Sequence, residues 1–395
     1  MRILYAHRTR ARDGSAVHIR GLVEALRERG HEVLELGPPL RAGGGGSRER
    51  PGWLRRAARE MAEYAYTPFG AWRLAREARR FCPDVLYQRY AFADASGVLV
   101  AGRRSVPILL EVNAPLAREI HRTRGLLFPA LARRLERSIL RRASRIAAVS
   151  AVLRDELAGE GIDPSRILVT PNGADLTRFR PDLDGGEVRR RLRLQPGRVL
   201  GFVGYLREWH RLDLVLEAMA SPRLEKARLL VVGDGPARGQ LEDRARAVGL
   251  SDRVQFTGEV EHAQVPLHVA AFDVALLPAI NAYASPLKLF EYLACGKAVV
   301  APKQPNLEEV VRDGEEALLF PPGDARGLAE ASASLLERPE KRDALGRAGR
   351  ERLLSGKFTW QGNVQRLEDA LAPLLALRLR STANGTTRAV GGEVG

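Results

Sequence analysis

Ser285, Lys288 and Glu291 fall at three-residue intervals in the run Ala284-Ser285-Pro286-Leu287-Lys288-Leu289-Phe290-Glu291-Tyr292-Leu293-Ala294-Cys295-Gly296. Ser-Pro is a turn signal, the following residues repeat apolar positions at helical spacing, and Gly296 is a stop before the β-branched Ala298-Val299-Val300. The run therefore reads as loop, helix, strand. A helix start here gathers Ser285, Lys288 and free backbone N–H groups in one place, which suits a diphosphate. Glu291 lies one turn further on the same face, where a carboxylate accepts hydrogen bonds from a sugar diol. A cation for phosphate beside a carboxylate for hydroxyls suits a nucleotide sugar. The same spacing also serves an ordinary i,i+3 ion pair on a capped helix.

The elements that must position these groups alternate along the chain. Arg2–Ala6 is a short apolar strand, Gly14-Ser15 a turn, 17–29 an amphipathic helix ended by Gly30, and Glu32–Leu36 a second strand. This βαβ unit predicts a parallel sheet with right-handed crossovers. Further strands are expected over Asp84–Tyr87, Pro107–Val112 and Arg145–Val149. Val169–Pro181, with Pro171-Asn172-Gly173, reads as a connector. Beyond it the alternation restarts: strands at Val199–Val203, Leu229–Val232, Val254–Thr257, Val274–Leu277 and Ala298–Ala301, with Gly233-Asp234-Gly235-Pro236 a turn opening a helix. Two α/β halves facing a cleft result. A last helix near 360–375 has no strand to follow and is expected to pack across the junction. Arg41–Arg50, with four consecutive glycines, reads as a flexible loop, and the polar, glycine-rich 380–395 as a disordered tail.

A chain of 395 residues, 45% apolar, is long enough for two packed domains. No apolar run reaches the ~20 residues of a membrane span, and Met1 leads straight into a strand with no signal peptide. Cys82 and Cys295 belong to no metal-ligand cluster and read as reduced thiols of a cytoplasmic protein. The net charge is +15 and mostly arginine. Such a surface attracts anionic lipid, nucleic acid or a phosphorylated substrate; a bias towards arginine codons gives the same balance.

With those pieces in order, the chain resembles the retaining, GT-B-fold nucleotide-sugar glycosyltransferases of the large group 1, or family-four, class. Thr170-Pro171-Asn172-Gly173-Ala174-Asp175 through Pro181 resembles that family's interdomain segment, Leu230–Pro236 its donor-domain strand and turn, Phe256-Thr257-Gly258 the segment near the nucleobase, and Ser285–Gly296 its donor motif. The resemblance covers nearly the whole chain and implies two Rossmann-like domains with parallel sheets. Residues 1–175, with a crossing helix over 358–378, would bind the acceptor; 176–357 would bind the nucleotide-sugar donor; 379–395 would be the tail. It further implies hexosyl transfer with retention, in polysaccharide, glycolipid or glycoconjugate synthesis, without a required metal or other cofactor. Leaving-group charge must then be met by side chains and backbone dipoles.

The resemblance assigns the donor to Gly204, Arg207, His210, Gly233, Gly235, Thr257, Gly258, Tyr283, Ser285, Pro286, Leu287, Lys288, Leu289 and Glu291, with Gly14 and Ser15 as the N-terminal glycine loop. Where many relatives carry an arginine and a lysine, this chain has Tyr205 and His210; Arg207 and His210 are the candidates for the diphosphate, His210 only if protonated. The family's first glutamate, eight positions before Glu291, is replaced by Tyr283, so Tyr283 or Asn281 is expected to stand in. Asn113 occupies a position often held by histidine. Near it Glu111 is the group able to act as a base towards an acceptor hydroxyl, but leaving phosphate can take that proton itself, so positioning roles are expected here. Glu111, Asn113, Arg207 and Lys288 form the expected catalytic set, and His18 is expected at the surface or as a cap.

Arg48–Arg80 and Arg118–Arg145 are arginine-rich helices carrying Trp53, Leu54, Met61, Tyr64, Trp72, Leu126, Leu127 and Phe128. These apolar faces are expected in the core; the alternative is docking on an anionic membrane at the inner face of the cytoplasmic membrane, suited to a lipid-linked acceptor. Sugar and small-molecule acceptors remain open. No nucleic-acid-binding motif is present, so no such partner is expected. Two rivals keep the fold: a nucleotide-sugar-binding protein without transfer activity, and a nucleotide-sugar epimerase.

Overall fold

The computed structural model describes residues 1–10, 14–39, 52–194 and 198–390. Six parallel strands form the first sheet: β1 (Arg2–Ala6), β2 (Glu32–Leu36), β3 (Val85–Arg89), β4 (Ile108–Val112), β5 (Arg145–Ala148) and β6 (Ile167–Val169), in the order β2-β1-β3-β4-β5-β6. Six more form the second: β7 (Val199–Val203), β8 (Arg228–Val232), β9 (Val254–Phe256), β10 (Val274–Leu276), β11 (Ala298–Pro302) and β12 (Leu318–Phe320), ordered β12-β11-β10-β7-β8-β9. Strand order reverses between β1 and β3 and again between β7 and β10. In parallel sheets ligands bind beyond the carboxyl ends of the strands at such points. Helices cover both faces of each sheet, so alternate residues of one strand enter opposite cores: Leu4 and Leu86 one, Ile3, Tyr5 and Tyr87 the other.

β6 and β12 were not expected. Each is a three-residue edge strand running into turn residues, β6 into Pro171-Asn172-Gly173 and β12 into Pro321-Pro322-Gly323, and β6 ends on Val169, where the segment read as connector begins. The last helix runs Trp360–Val390 and crosses back: Trp360, Val364, Leu367 and Leu371 pack with Ile19, Leu22 and Leu26 of helix Gly14–Glu28. Arg29 Nε donates to Glu368 Oε1 at 3.0 Å beside this seam. The helix runs on to Val390, past the boundary expected at 378, into the segment expected to be a disordered tail. Residues 391–395 and the glycine run at 43–46 lie outside the described residues.

The arginine-rich helices correct another expectation. Trp53 is 64% exposed and Trp72 57%, and Leu54, Met61, Leu127 and Phe128 also face outwards. Helix Tyr66–Phe81 buries instead the stripe Gly70, Leu74 and Ala78, at i,i+4 spacing, which leaves Phe69 and Trp72 off the core face. On helix Trp53–Tyr64 the buried residue is Glu60, whose carboxylate accepts from the backbone N–H groups of Leu127 (2.7 Å) and Phe128 (3.1 Å). Among the described residues no helix is long and apolar enough to cross a membrane.

Candidate active site

The cleft is built from the carboxyl ends of β7 and β8 on one side and of β1 and β4 on the other. Helix Leu287–Ala294 brings Lys288 against β7. Its ammonium lies 3.8 Å over the Phe202 ring, and a Cβ on Gly204 would approach Nζ to 2.8 Å. Gly204 also has φ +151°, so this position needs glycine for both conformation and space. Lys288 Nζ is buried and finds no hydrogen-bond partner, which rules out the ordinary ion pair with Glu291. Burial pushes the Lys288 ammonium down to about 7, with Glu291 opposing. Burial likewise pushes Glu291, 8% exposed, up to about 7, against Lys288 and Arg178. A buried, unpartnered ammonium is costly; an anion placed here removes that cost.

The loops around it are fixed backbone to backbone. Gly204 N donates to Val232 O (2.9 Å) and Leu206 N to Asp234 O (2.8 Å). Gly233 N donates to Gly258 O at 3.1 Å, while Thr257 Oγ1 accepts from Gly233 N at 3.3 Å and donates to Gly258 O at 2.9 Å. A Cβ on Gly233 would sit 2.2 Å from Gly204 O, and one on Gly235 2.4 Å from Leu206 O, so these two hold the donor loops together. Arg207 stacks its guanidinium over Tyr205 and Trp209, at 4.6 and 5.2 Å from the ring centroids. His210 Nδ1 is buried without a partner. Burial and the Lys288 charge push His210 down to about 2, so its ring is neutral and adds a hydrogen-bonding edge, not the charge expected of it.

On the opposite wall Glu111 is buried and saturated. Tyr5 Oη donates to Oε2 at 3.1 Å, Asn113 Nδ2 to Oε1 at 2.6 Å, and Arg89 pairs with Oε1. Burial raises its carboxyl, but His18 and Arg89 outweigh burial and hold it well below the usual carboxylate range. The carboxylate that could have been a base is therefore a fixed anion that positions its neighbours. His18 is not at the surface either: it is buried, with Nε2 3.1 Å from Glu111 Oε1 and Nδ1 2.6 Å from Asn172 Oδ1.

Asn172 carries this chain of contacts across the cleft. Its backbone N–H donates to Ser285 Oγ at 2.9 Å and its Nδ2 to Ser285 O. Ser285 is thus held by the interdomain segment and caps no helix; helix Leu287–Ala294 has no side-chain cap. Pro286 starts that helix, and Leu287 approaches the other half, its Cδ1 3.3 Å from where a Gly14 Cβ would be. That contact places Gly14, which with Ser15 begins helix Gly14–Glu28 instead of forming the expected turn, at the donor motif. Leu289, by contrast, has its side chain wholly in the core. Tyr283 packs into the core of the first half, and its hydroxyl donates to Glu119 Oε2 at 2.9 Å, with Asn281 Nδ2 3.4 Å away.

His18, Arg89, Glu119 and Asn172 are the residues that sequence reasoning missed. His18 and Asn172 are 154 positions apart and Glu119 and Tyr283 164, so no local spacing announces either contact. Glu291 faces Arg178 across a narrow recess that Asp175, His262 and Trp360 also line.

Two family models match the chain: "Glycosyltransferase Family 4" over residues 12–178 and "Glycosyl transferases group 1" over 187–352. A protein of Geodermatophilus obscurus called D-inositol 3-phosphate glycosyltransferase is 32% identical, over 79% of this chain and 70% of its own. The alpha-D-kanosaminyltransferase of Streptomyces kanamyceticus is 25% identical, over 83% and 91%. The fold matches the crystal structure of Anabaena HepE in complex with UDP, with a TM-score of 0.75 at 19% identity, covering 94% of this chain and all of that one.

Proposed function

Because this chain belongs to the group 1, family-four glycosyltransferases of GT-B fold, we propose that it moves a hexosyl group from a nucleotide-diphospho-sugar to an acceptor hydroxyl with retention of configuration. The observation that carries the donor half of this reading is the buried, unpartnered Lys288 ammonium beside Gly204. A diphosphate seated there accepts from Lys288 and from Arg207, and the neutral His210 adds an uncharged contact. Glu291, one turn along the same helix, accepts from the ribose hydroxyls. The positive charge of Lys288 and Arg207 stabilises the leaving diphosphate, so the transfer needs no metal.

Glu111 has no role as a base in this reading. It holds Asn113 towards the transferred sugar, and the leaving phosphate takes the acceptor proton. UDP in the HepE complex is that protein's ligand; for this chain the base, the sugar and the acceptor are open to test. A thermal-shift panel of UDP, GDP, ADP, TDP and CMP with and without magnesium tests the reading, since a ligand of the native state raises its stability. One diphosphate that stabilises the wild type equally with and without magnesium, and fails with Lys288→Ala, supports it. No shift with any nucleotide counts against it, and against the binding protein without transfer activity as well.

The exposed Trp53, Leu54, Met61 and Trp72 among arginines favour a second element, docking of the first half on anionic lipid at the inner face of the cytoplasmic membrane.

A further inference from the structure

Beyond the carboxyl end of β1, away from Lys288, lies an open recess of about 340 Å³ that neither the donor site nor the Glu111 network uses. Arg8 and Arg10 follow β1 directly, Arg59 and Glu63 lie one turn apart on helix Trp53–Tyr64, and Tyr66 and Arg73 come from helix Tyr66–Phe81. Among the described residues four guanidinium groups line it against one carboxylate. That carboxylate, Glu63, pairs with Arg8 at 2.8 Å. Arg8 is fixed further by stacking 3.7 Å over the Tyr66 ring, and its Nη1 is buried without a partner. Arg73 is oriented by donating Nη2 to Gly37 O at 3.0 Å. Arg8 and Arg73 are thus held in place, and Arg8 has a donor still to satisfy.

Arg124, at the end of helix Leu116–Arg124, is pushed down by burial and by Arg59 and Arg207, against Glu63 and Glu119, so it interacts with charges of both the recess and the donor loop. Guanidinium groups offer paired N–H donors that match phosphate oxygens, and converging arginines select a phosphoryl group over a neutral sugar. The volume accepts a phosphorylated sugar or polyol.

We propose that this recess, built by Arg8, Arg10, Arg59 and Arg73, binds a phosphate ester. That the phosphate belongs to the sugar acceptor rests on the transfer reading above; the binding itself does not. A free phosphate ester and a phospholipid headgroup share this chemistry.

Calorimetry on the full chain distinguishes them, with inorganic phosphate and glycerol 1-phosphate as free probes. Vesicles of phosphatidylglycerol in phosphatidylcholine, against phosphatidylcholine alone, probe the headgroup. All titrations use the Lys288→Met background, so that the donor site does not take up phosphate. Arg59 is exposed, so Arg59→Glu keeps the fold, checked by an unchanged melting temperature. The expected result is at least a tenfold loss of affinity in Arg59→Glu and partial retention in Arg59→Lys. Loss for the free probes assigns a soluble phosphate, loss for the vesicles a lipid headgroup, and loss for both a site open to either. Affinities unchanged by Arg59→Glu, or a parent chain that binds none of these probes, would overturn the proposal. Nucleotide binding by the chain with Lys288 intact is measured in parallel and is expected to stay within twofold in Arg59→Glu, so a failure of the donor reading appears separately.

Discussion

His18 Nδ1 lies 2.6 Å from Asn172 Oδ1, a contact that joins the first helix to the interdomain segment. Because Asn172 Nδ2 is committed to Ser285 O, its Oδ1 is the acceptor and His18 Nδ1 donates to it. Glu111, His18, Asn172 and Ser285 therefore form one polar chain from the floor of the first sheet to the donor motif. Asn172→Leu leaves the His18 donor and the Ser285 carbonyl without partners. The cost is expected at about 1–3 kcal/mol of stability, read by denaturant unfolding. Because Ser285 leads into the Lys288 helix, nucleotide affinity is expected to fall in the same variant. A variant with full stability and unchanged affinity would show that the chain of contacts positions nothing.

Lys288→Met separates binding from folding. Removing a buried cation that has no partner relieves a desolvation cost, so the melting temperature is expected to stay level or rise. Nucleotide-diphosphate affinity is expected to fall by about 10- to 100-fold, the equivalent of one charge-assisted hydrogen bond of about 1.5–3 kcal/mol. Calorimetry and a melt on the same sample measure both. A loss of both together would make Lys288 a structural residue.

Much of this was legible in the sequence, and the rest was hidden for definite reasons. The Ser285–Gly296 run announced its loop, helix and strand because apolar period, turn residues and stop agree locally. The edge strands β6 and β12 were not legible, because each short run abuts strong turn residues, Pro171-Asn172-Gly173 and Pro321-Pro322-Gly323. Glu111 was legible as a carboxylate near the acceptor, but its chemistry is set by Arg89, His18 and Tyr5, which only the fold assembles. Tyr283 was visible as a substitution for a glutamate. That its hydroxyl meets another carboxylate, Glu119, from the opposite half was not. Trp53 and Trp72 were assigned to the core by type, whereas the smaller Gly70, Leu74 and Ala78 take the buried stripe.

Glu111→Gln tests the positioning role. The substitution keeps the shape but leaves the buried Arg89 without its counter-ion, so several kcal/mol of stability are expected to go. If Glu111 were the base, the variant would lose the acidic limb of the kcat/KM profile. With its carboxyl already held well below the usual range, the expected outcome is a lower rate with the profile between pH 5 and 8 unchanged in shape.

The exposed aromatic residues lead to a lipid measurement. Trp53→Glu with Trp72→Glu removes two large apolar contacts and adds two negative charges on the basic face. Co-sedimentation with phosphatidylglycerol vesicles at low salt is expected to fall at least tenfold, while nucleotide binding holds. Equal sedimentation of variant and wild type would remove lipid docking from this face.

Donor binding should depend on pH through Lys288. In the empty site burial pushes its ammonium down to about 7, so below pH 7 the cation is present and above it the site is largely neutral. A bound diphosphate favours the charged form and draws its titration back up. Binding above pH 7 must then take up one proton, and affinity is expected to fall about tenfold for each pH unit between 7.5 and 8.5. A nucleotide sugar is the right probe, since its diphosphate does not itself titrate in that range. Calorimetry in two buffers of different ionisation enthalpy reads the proton uptake directly. Lys288→Arg, charged at every pH used, is expected to bind with no proton uptake and a flat profile. The same slope in Lys288→Arg as in the wild type would place the titrating group elsewhere, with Glu291, itself pushed up to about 7, the first to examine.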